Sequence, residues 1–159
     1  MALFGGEFRV ASWEQDEARR WPGFLRAVHF GIMQIVAHGV DLAHCPRIRR
    51  VWEDHGERFL RRVYTEKEQA YCLDCKDPVV RLAGRFAAKE AVMKVLGTGW
   101  RGGVEWRDIE TLPDPLGKPL VALSGRTAEL ARTLGVTQIL LSISHSGEYA
   151  MASAIGVGA

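Results

Sequence analysis

Three features of this sequence predict an α+β domain. A β-branched segment, Gln34-Ile-Val-Ala-His-Gly-Val-Asp41-Leu, comes early, helix-period segments fill the middle, and two hairpin-like strand pairs come late. The 159 residues suit one domain, and 47% apolar with 25% charged content is ordinary for a chain that buries a core. A net charge of +2 is too small for a general nucleic-acid binder. No apolar run approaches the length of a membrane span, and the N-terminus lacks a basic-then-apolar leader. A cytoplasmic protein with neither nucleic acid nor membrane as partner is the expectation.

Residues 1–32 carry no sustained period; Pro22-Gly23 interrupts the one short helical stretch, and Met33 stands directly before the first strand. We therefore read 1–32 as an N-terminal extension of unknown role and 33–159 as the folded domain. In the strand over 34–42, Gly39 marks close approach by a backbone or ligand. Asp41 either projects a carboxylate from a rigid strand end or caps the next turn. Pro46 sits in the first turn of a helix that His55-Gly56 breaks, with a second short helix from Glu57. Thr65-Glu-Lys-Glu68 is a capping box opening another helix, which is reason enough for Thr65 and Glu68 without a catalytic part.

The next helix runs from about Val79 to Leu96 and closes at a glycine pair. Leu82, Phe86, Met93 and Leu96 form a core stripe, while Ala83, Ala87, Glu90, Ala91 and Lys94 lie on another face. Small alanines there admit a backbone or a ligand. Glu90 and Lys94, one turn apart, suit a metal-plus-phosphate site or are a plain surface pair. After the glycine loop 97–103, too irregular for a P-loop, a strand is predicted over Val104–Leu112. Pro113–Pro119 turns it into a hairpin with Leu120–Leu123. A helix from Ser124 ends at Gly135, and Thr137–His145 pairs through Ser146-Gly-Glu with Tyr149–Ile155.

Three polar sets thus fall at element ends: Asp41, Glu90 with Lys94, and Ser144 with His145. Two carboxylates from separate elements can hold Mg²⁺ with phosphate oxygens completing its shell. Lys94, Arg85, Lys118 and His145 can hold a polyphosphate, though His145 and Lys118 also read as ordinary turn residues. Between Arg47 and Arg62 six arginines face three acids, a cationic surface that either steers an acidic partner or is merely solvated. Cys45, Cys72 and Cys75 argue against a disulfide framework, and one CxxC is a weak metal or redox signal.

Taken together, Gly39-Val-Asp41-Leu with Arg47-Ile48, Arg62-Val-Tyr-Thr65-x-x-Glu68, Arg85-Phe-Ala-Ala-Lys-Glu90-Ala-x-x-Lys94-x-Leu-Gly-Thr-Gly99, Gly117-Lys-Pro119 and Ser142-Ile-Ser-His145-Ser resemble the holo-acyl-carrier-protein synthases, the small bacterial 4′-phosphopantetheinyl transferases. The match covers about Met33 to Ile155, in the family's order. The resemblance implies the 4′-phosphopantetheinyl transferase-like fold, an antiparallel sheet packed with helices. It also implies Mg²⁺-dependent transfer of phosphopantetheine from coenzyme A to a serine of apo acyl carrier protein, releasing adenosine 3′,5′-bisphosphate, for fatty-acid biosynthesis.

By this resemblance Asp41 and Glu90 bind Mg²⁺, and Glu90, Lys94 and His145 form the catalytic set, Lys94 and His145 acting on the pyrophosphate. Arg85, Gly117, Lys118, Pro119 and Ser144 line the coenzyme A pocket. Arg47 docks the acidic carrier by the motif, and Arg50 joins it by charge and proximity. The family also implies a homotrimer. The base for the serine proton stays open among Glu90, Glu68 and a water near the metal, the water being favoured. Residues 1–32 and the Cys72/Cys75 pair have no counterpart in the pattern.

Overall fold

The computed structural model describes residues 34–97, 99 and 103–158. The expected extension 1–32, its boundary at Met33 and much of the glycine loop lie outside the described residues. The elements in order are β1 (Gln34–His44), α1 (Cys45–Val63), α2 (Glu66–Leu73), α3 (Pro78–Val95), a 3₁₀ turn (Trp106–Asp108), β2 (Ile109–Pro113), β3 (Pro119–Leu123), α4 (Gly125–Thr133), β4 (Gln138–Ser146) and β5 (Tyr149–Gly158). β1, β5 and β4 form an antiparallel sheet in that order, and β2 with β3 forms a separate hairpin. The α+β expectation holds.

Local signals set the boundaries. The Asp77 carboxylate accepts from the Val79 N–H at 3.3 Å and Pro78 opens α3. Thr65 and Glu68 form the predicted capping box of α2, each side chain accepting from the other's backbone N–H. Gly56, at φ 52° and ψ −133°, leaves helical geometry inside α1, the break its sequence predicts.

α3 is the hub. It packs across β1 and β5, with β4, α1, α2 and β2 also against it. Leu82, Met93 and Leu96 are buried as the stripe predicts, and half-buried Phe86 meets the Trp106 ring, centroids 4.9 Å apart. The alanine face differs from expectation. Ala83, Ala87 and Ala91 are fully buried, as are Ala150, Ala152 and Ala154 of β5, so this face is the seam between helix and sheet rather than the floor of an open site. The backbone of β1 comes so close that a Cβ on Gly39 would sit 2.1 Å from the Ala91 carbonyl oxygen. Small residues on both sides make that approach possible.

The strand expected over Val104–Leu112 is corrected. Residues 106–108 make a 3₁₀ turn, and β2 begins only at Ile109. The tertiary contacts of the turn outweigh strand propensity. Trp106 is buried on Phe86, and Asp108 turns toward α4, its carboxylate accepting from the Thr127 hydroxyl at 3.0 Å and from the Thr127 N–H at 3.4 Å.

Candidate active site

Strand alternation decides which β1 side chains can meet α3. Gly39, Asp41 and Ala43 sit opposite Ala154, Ala152 and Ala150 of β5, all on the helix-facing side. Asp41 therefore projects toward the C-terminal half of α3. There the Lys94 ammonium donates to Asp41 Oδ1 at 2.9 Å and to the Val40 carbonyl at 2.6 Å. The Asp41 side chain is 19% exposed and that of Lys94 51%, so the pair lies at the protein's edge with water on one side. Glu90, half-buried, stands one helical turn before Lys94. The structure thus gathers the helix pair and the strand acid at one end of the helix–sheet seam.

Across the sheet, His145 of β4 pairs with Ala150, so it shares the helix-facing side with Asp41. It lies two strands over and two residues along, about 12 Å away between backbones. Ser144 pairs with Met151 and therefore points to the opposite, outer face of the sheet. The two adjacent candidates are separated by alternation alone.

Arg85 is buried on α3, its guanidinium carbon 4.4 Å from the centre of the Tyr71 ring, and its Nε has no hydrogen-bond partner among the described residues. Gly117, Lys118 and Pro119 form the β2–β3 hairpin turn. Gly117 has φ 88°, and Asp114 Oδ1 accepts from the N–H groups of Leu116 and Lys118 at 2.9 Å each. Among the described residues no hydrogen bond or ion pair joins this turn to Asp41 or Lys94. On α1, Arg49 pairs with Asp77 and Arg61 with Glu57, whereas Arg47, Arg50, Arg58 and Arg62 have no acidic partner among the described residues. Arg47 and Arg50 are both exposed.

Residues 37–154 match the family model of the 4′-phosphopantetheinyl transferase superfamily. The chain belongs to this family. A holo-[acyl-carrier-protein] synthase of Gloeobacter violaceus is 50% identical over 121 residues, which cover 76% of this chain and 91% of the relative. The crystal structure of the holo-[acyl-carrier-protein] synthase of Neisseria meningitidis superposes with a TM-score of 0.72 at 33% identity, covering 77% of this chain and 98% of that one. A holo-(acyl-carrier-protein) synthase of Bacillus anthracis, in complex with CoA (3′,5′-ADP), gives 0.65 at 34% identity over 79% and 98%.

This phosphopantetheinyl transferase also has a polar core that capping arguments did not anticipate. Glu68 and Lys89 are both wholly buried, with Lys89 Nζ 2.8 Å from Glu68 Oε2. Burial pulls the Lys89 pKa down, and the neighbouring Glu68 charge opposes that shift. A lysine inside an otherwise apolar, alanine-rich helix was the available signal. Glu68, left open as a base for the serine proton, is sealed from solvent and engaged on both oxygens. The cysteines form no cage: among the described residues no three His, Cys, Asp or Glu side chains gather as a metal site. Burial pushes the Cys72 thiol up to about 12, so it stays protonated at neutral pH.

Proposed function

We propose that this transferase moves the 4′-phosphopantetheine group from coenzyme A to a serine hydroxyl of an apo acyl carrier protein, in a Mg²⁺-dependent reaction that releases adenosine 3′,5′-bisphosphate. The observation that carries the reading is the Asp41–Lys94 contact beside Glu90, which puts two acids and one ammonium at one edge. The names of the relatives in G. violaceus and B. anthracis support the carrier and coenzyme A assignments.

The residues present suit Mg²⁺. That ion is held by one or two carboxylates and completes its shell with waters and substrate phosphates, so a full protein cage is not required. Asp41 and Glu90 would hold it. When bound, it neutralises charge on the pyrophosphate oxygens. Lys94 adds a positive charge from α3 and His145 a ring N–H donor from β4, on the same side of the sheet. Arg85, Gly117, Lys118, Pro119 and Ser144 are assigned to the coenzyme A pocket, Ser144 from the outer sheet face and the turn residues from the hairpin.

In the transfer, the serine oxygen bonds to the phosphorus that bears pantetheine. The bond from that phosphorus to the bridging oxygen breaks, and the nucleotide leaves with the electron pair. The serine proton passes to a water held at the two carboxylates. Positioning and charge neutralisation carry such a reaction, since the chain itself forms no covalent bond.

Arg47 and Arg50 dock the acidic carrier, which here serves fatty-acid synthesis in the cytoplasm. The assembly is a homotrimer. Its support is the outer face of the three-stranded sheet, where Val40, Leu42, Leu140, Tyr149 and Met151 are 37–59% exposed side by side. The decisive test incubates the protein with coenzyme A, Mg²⁺ and apo carrier protein. One phosphopantetheine should add to the carrier by mass spectrometry; an unchanged carrier mass with folded protein refutes the proposal.

A further inference from the structure

Lys89 immediately precedes Glu90, yet its side chain points the other way, into the protein. Its ammonium donates to Glu68 Oε2 at 2.8 Å, to the Trp106 carbonyl at 2.9 Å and to the Ile109 carbonyl, using all three of its N–H groups. Glu68 in turn accepts from the Thr65 N–H at 2.9 Å and, through Oε1, from the Thr111 N–H at 2.9 Å. Both side chains are fully buried. One ion pair therefore ties together the start of α2, the middle of α3, the 3₁₀ turn and β2.

Replacing a buried ion pair by apolar groups is often neutral for stability, so this network calls for a reason other than stability. The helix–sheet seam supplies one. Alanine and glycine let α3 and β1 come close, but their smooth surfaces oppose rotation of the helix about its axis only weakly. A rotation of about 20° would sweep side-chain tips by more than an ångström, enough to spoil a reacting geometry. Directed hydrogen bonds from a buried ammonium resist such a rotation where apolar packing does not.

We propose that Glu68 and Lys89 are positioning residues that fix the rotation of α3, and with it the placement of Glu90 and Lys94 toward Asp41. The inference rests on the transferase reading of that site. Neither residue touches substrate.

The test uses the double variant Glu68→Gln/Lys89→Met, which removes both charges at once and keeps a capping acceptor. Its melting temperature should stay within about 5 °C of the parent. Amide exchange over Glu90–Lys94 should be about tenfold faster, coenzyme A should bind about tenfold more weakly by calorimetry, and kcat should fall about 100-fold. A folded double variant with parental exchange and with affinity and kcat within twofold overturns the proposal, since a merely structural pair would behave so. Should that variant not fold, Lys89→Arg keeps the charge but changes the donor geometry. It should show the same loss of affinity and kcat, and parental values there overturn the proposal too. The exchange measurement decides the positioning role even if the parent protein transfers nothing, the outcome that would instead refute the transferase reading.

Discussion

Lys94 Nζ lies 2.9 Å from Asp41 Oδ1, joining the end of the hub helix to the first strand across the edge of the seam. An ion pair this exposed contributes at most about 1 kcal/mol to stability. Its effect on function should be far larger. Asp41→Ala and Glu90→Ala should each lower carrier modification at least ~100-fold while melting within a few degrees of the parent. Lys94→Met should mainly raise the KM for coenzyme A. Steady-state kinetics with thermal melts of the same preparations check all three.

Gly39→Ala should damage the fold rather than the chemistry. Its methyl would collide with the Ala91 carbonyl oxygen and crowd Lys94 Cβ, 2.9 Å away. Backbone on both sides leaves little room to relax, so a loss of about 1–3 kcal/mol or more is expected. Chemical denaturation measures this directly, and an unchanged midpoint would show that the seam can open.

Arg47→Glu and Arg50→Glu reverse charge on the exposed face of α1. The KM for carrier protein should rise about tenfold or more at low salt, and the effect should shrink as salt screens the charges. The KM for coenzyme A should stay within twofold. Equal effects on both substrates would place these arginines elsewhere in the mechanism.

Glu110 supplies a pH-dependent contribution to stability. The Thr65 hydroxyl donates to its carboxylate at 2.7 Å and Lys67 at 3.2 Å, which together hold its pKa below the ordinary carboxylate value. A lowered carboxylate pKa adds stability above the unfolded value, and that contribution disappears as pH falls through the folded one. The parent should therefore exceed Glu110→Gln by about 1 kcal/mol near pH 7, with the difference shrinking as pH falls below the ordinary carboxylate value. Denaturation at a series of pH values reads it out.

Leu42→Glu places a charge in the middle of the exposed apolar sheet face. Light scattering should report a trimer for the parent and a smaller species for the variant, with the fold retained by circular dichroism. A parent that scatters as a monomer would remove the trimer from the proposal.

Much of this was legible in the sequence because its signals are local. The capping box at Thr65, the start of α3 next to Pro78, the break at Gly56 and the hairpin turn at Gly117 all fell where their chemistry requires. Asp41 was legible as an acid of the first strand, but the strand runs on to His44, so Asp41 lies within the ladder and meets Lys94 only because helix and sheet dock. Other features depend on contacts far apart in the chain. Trp106 leaves strand geometry because Phe86 and α4 need the turn, and Glu68 meets Lys89 only after two helices dock. The separation of Ser144 from His145 follows from alternation, but which face is inward is set by β5 and α3.

The contact between Gly39 and the Ala91 carbonyl has a consequence for motion. Two surfaces that meet at backbone level have no side chains to rearrange, so α3 cannot press closer to β1 to make room for a bulky nucleotide. Opening and closing must be left to parts that are not wedged together. The β2–β3 hairpin is anchored as well, its Ile109 carbonyl accepting from Lys89 and its Thr111 N–H donating to Glu68, so of this element only the tip, with Lys118 exposed, stands clear of the packed body.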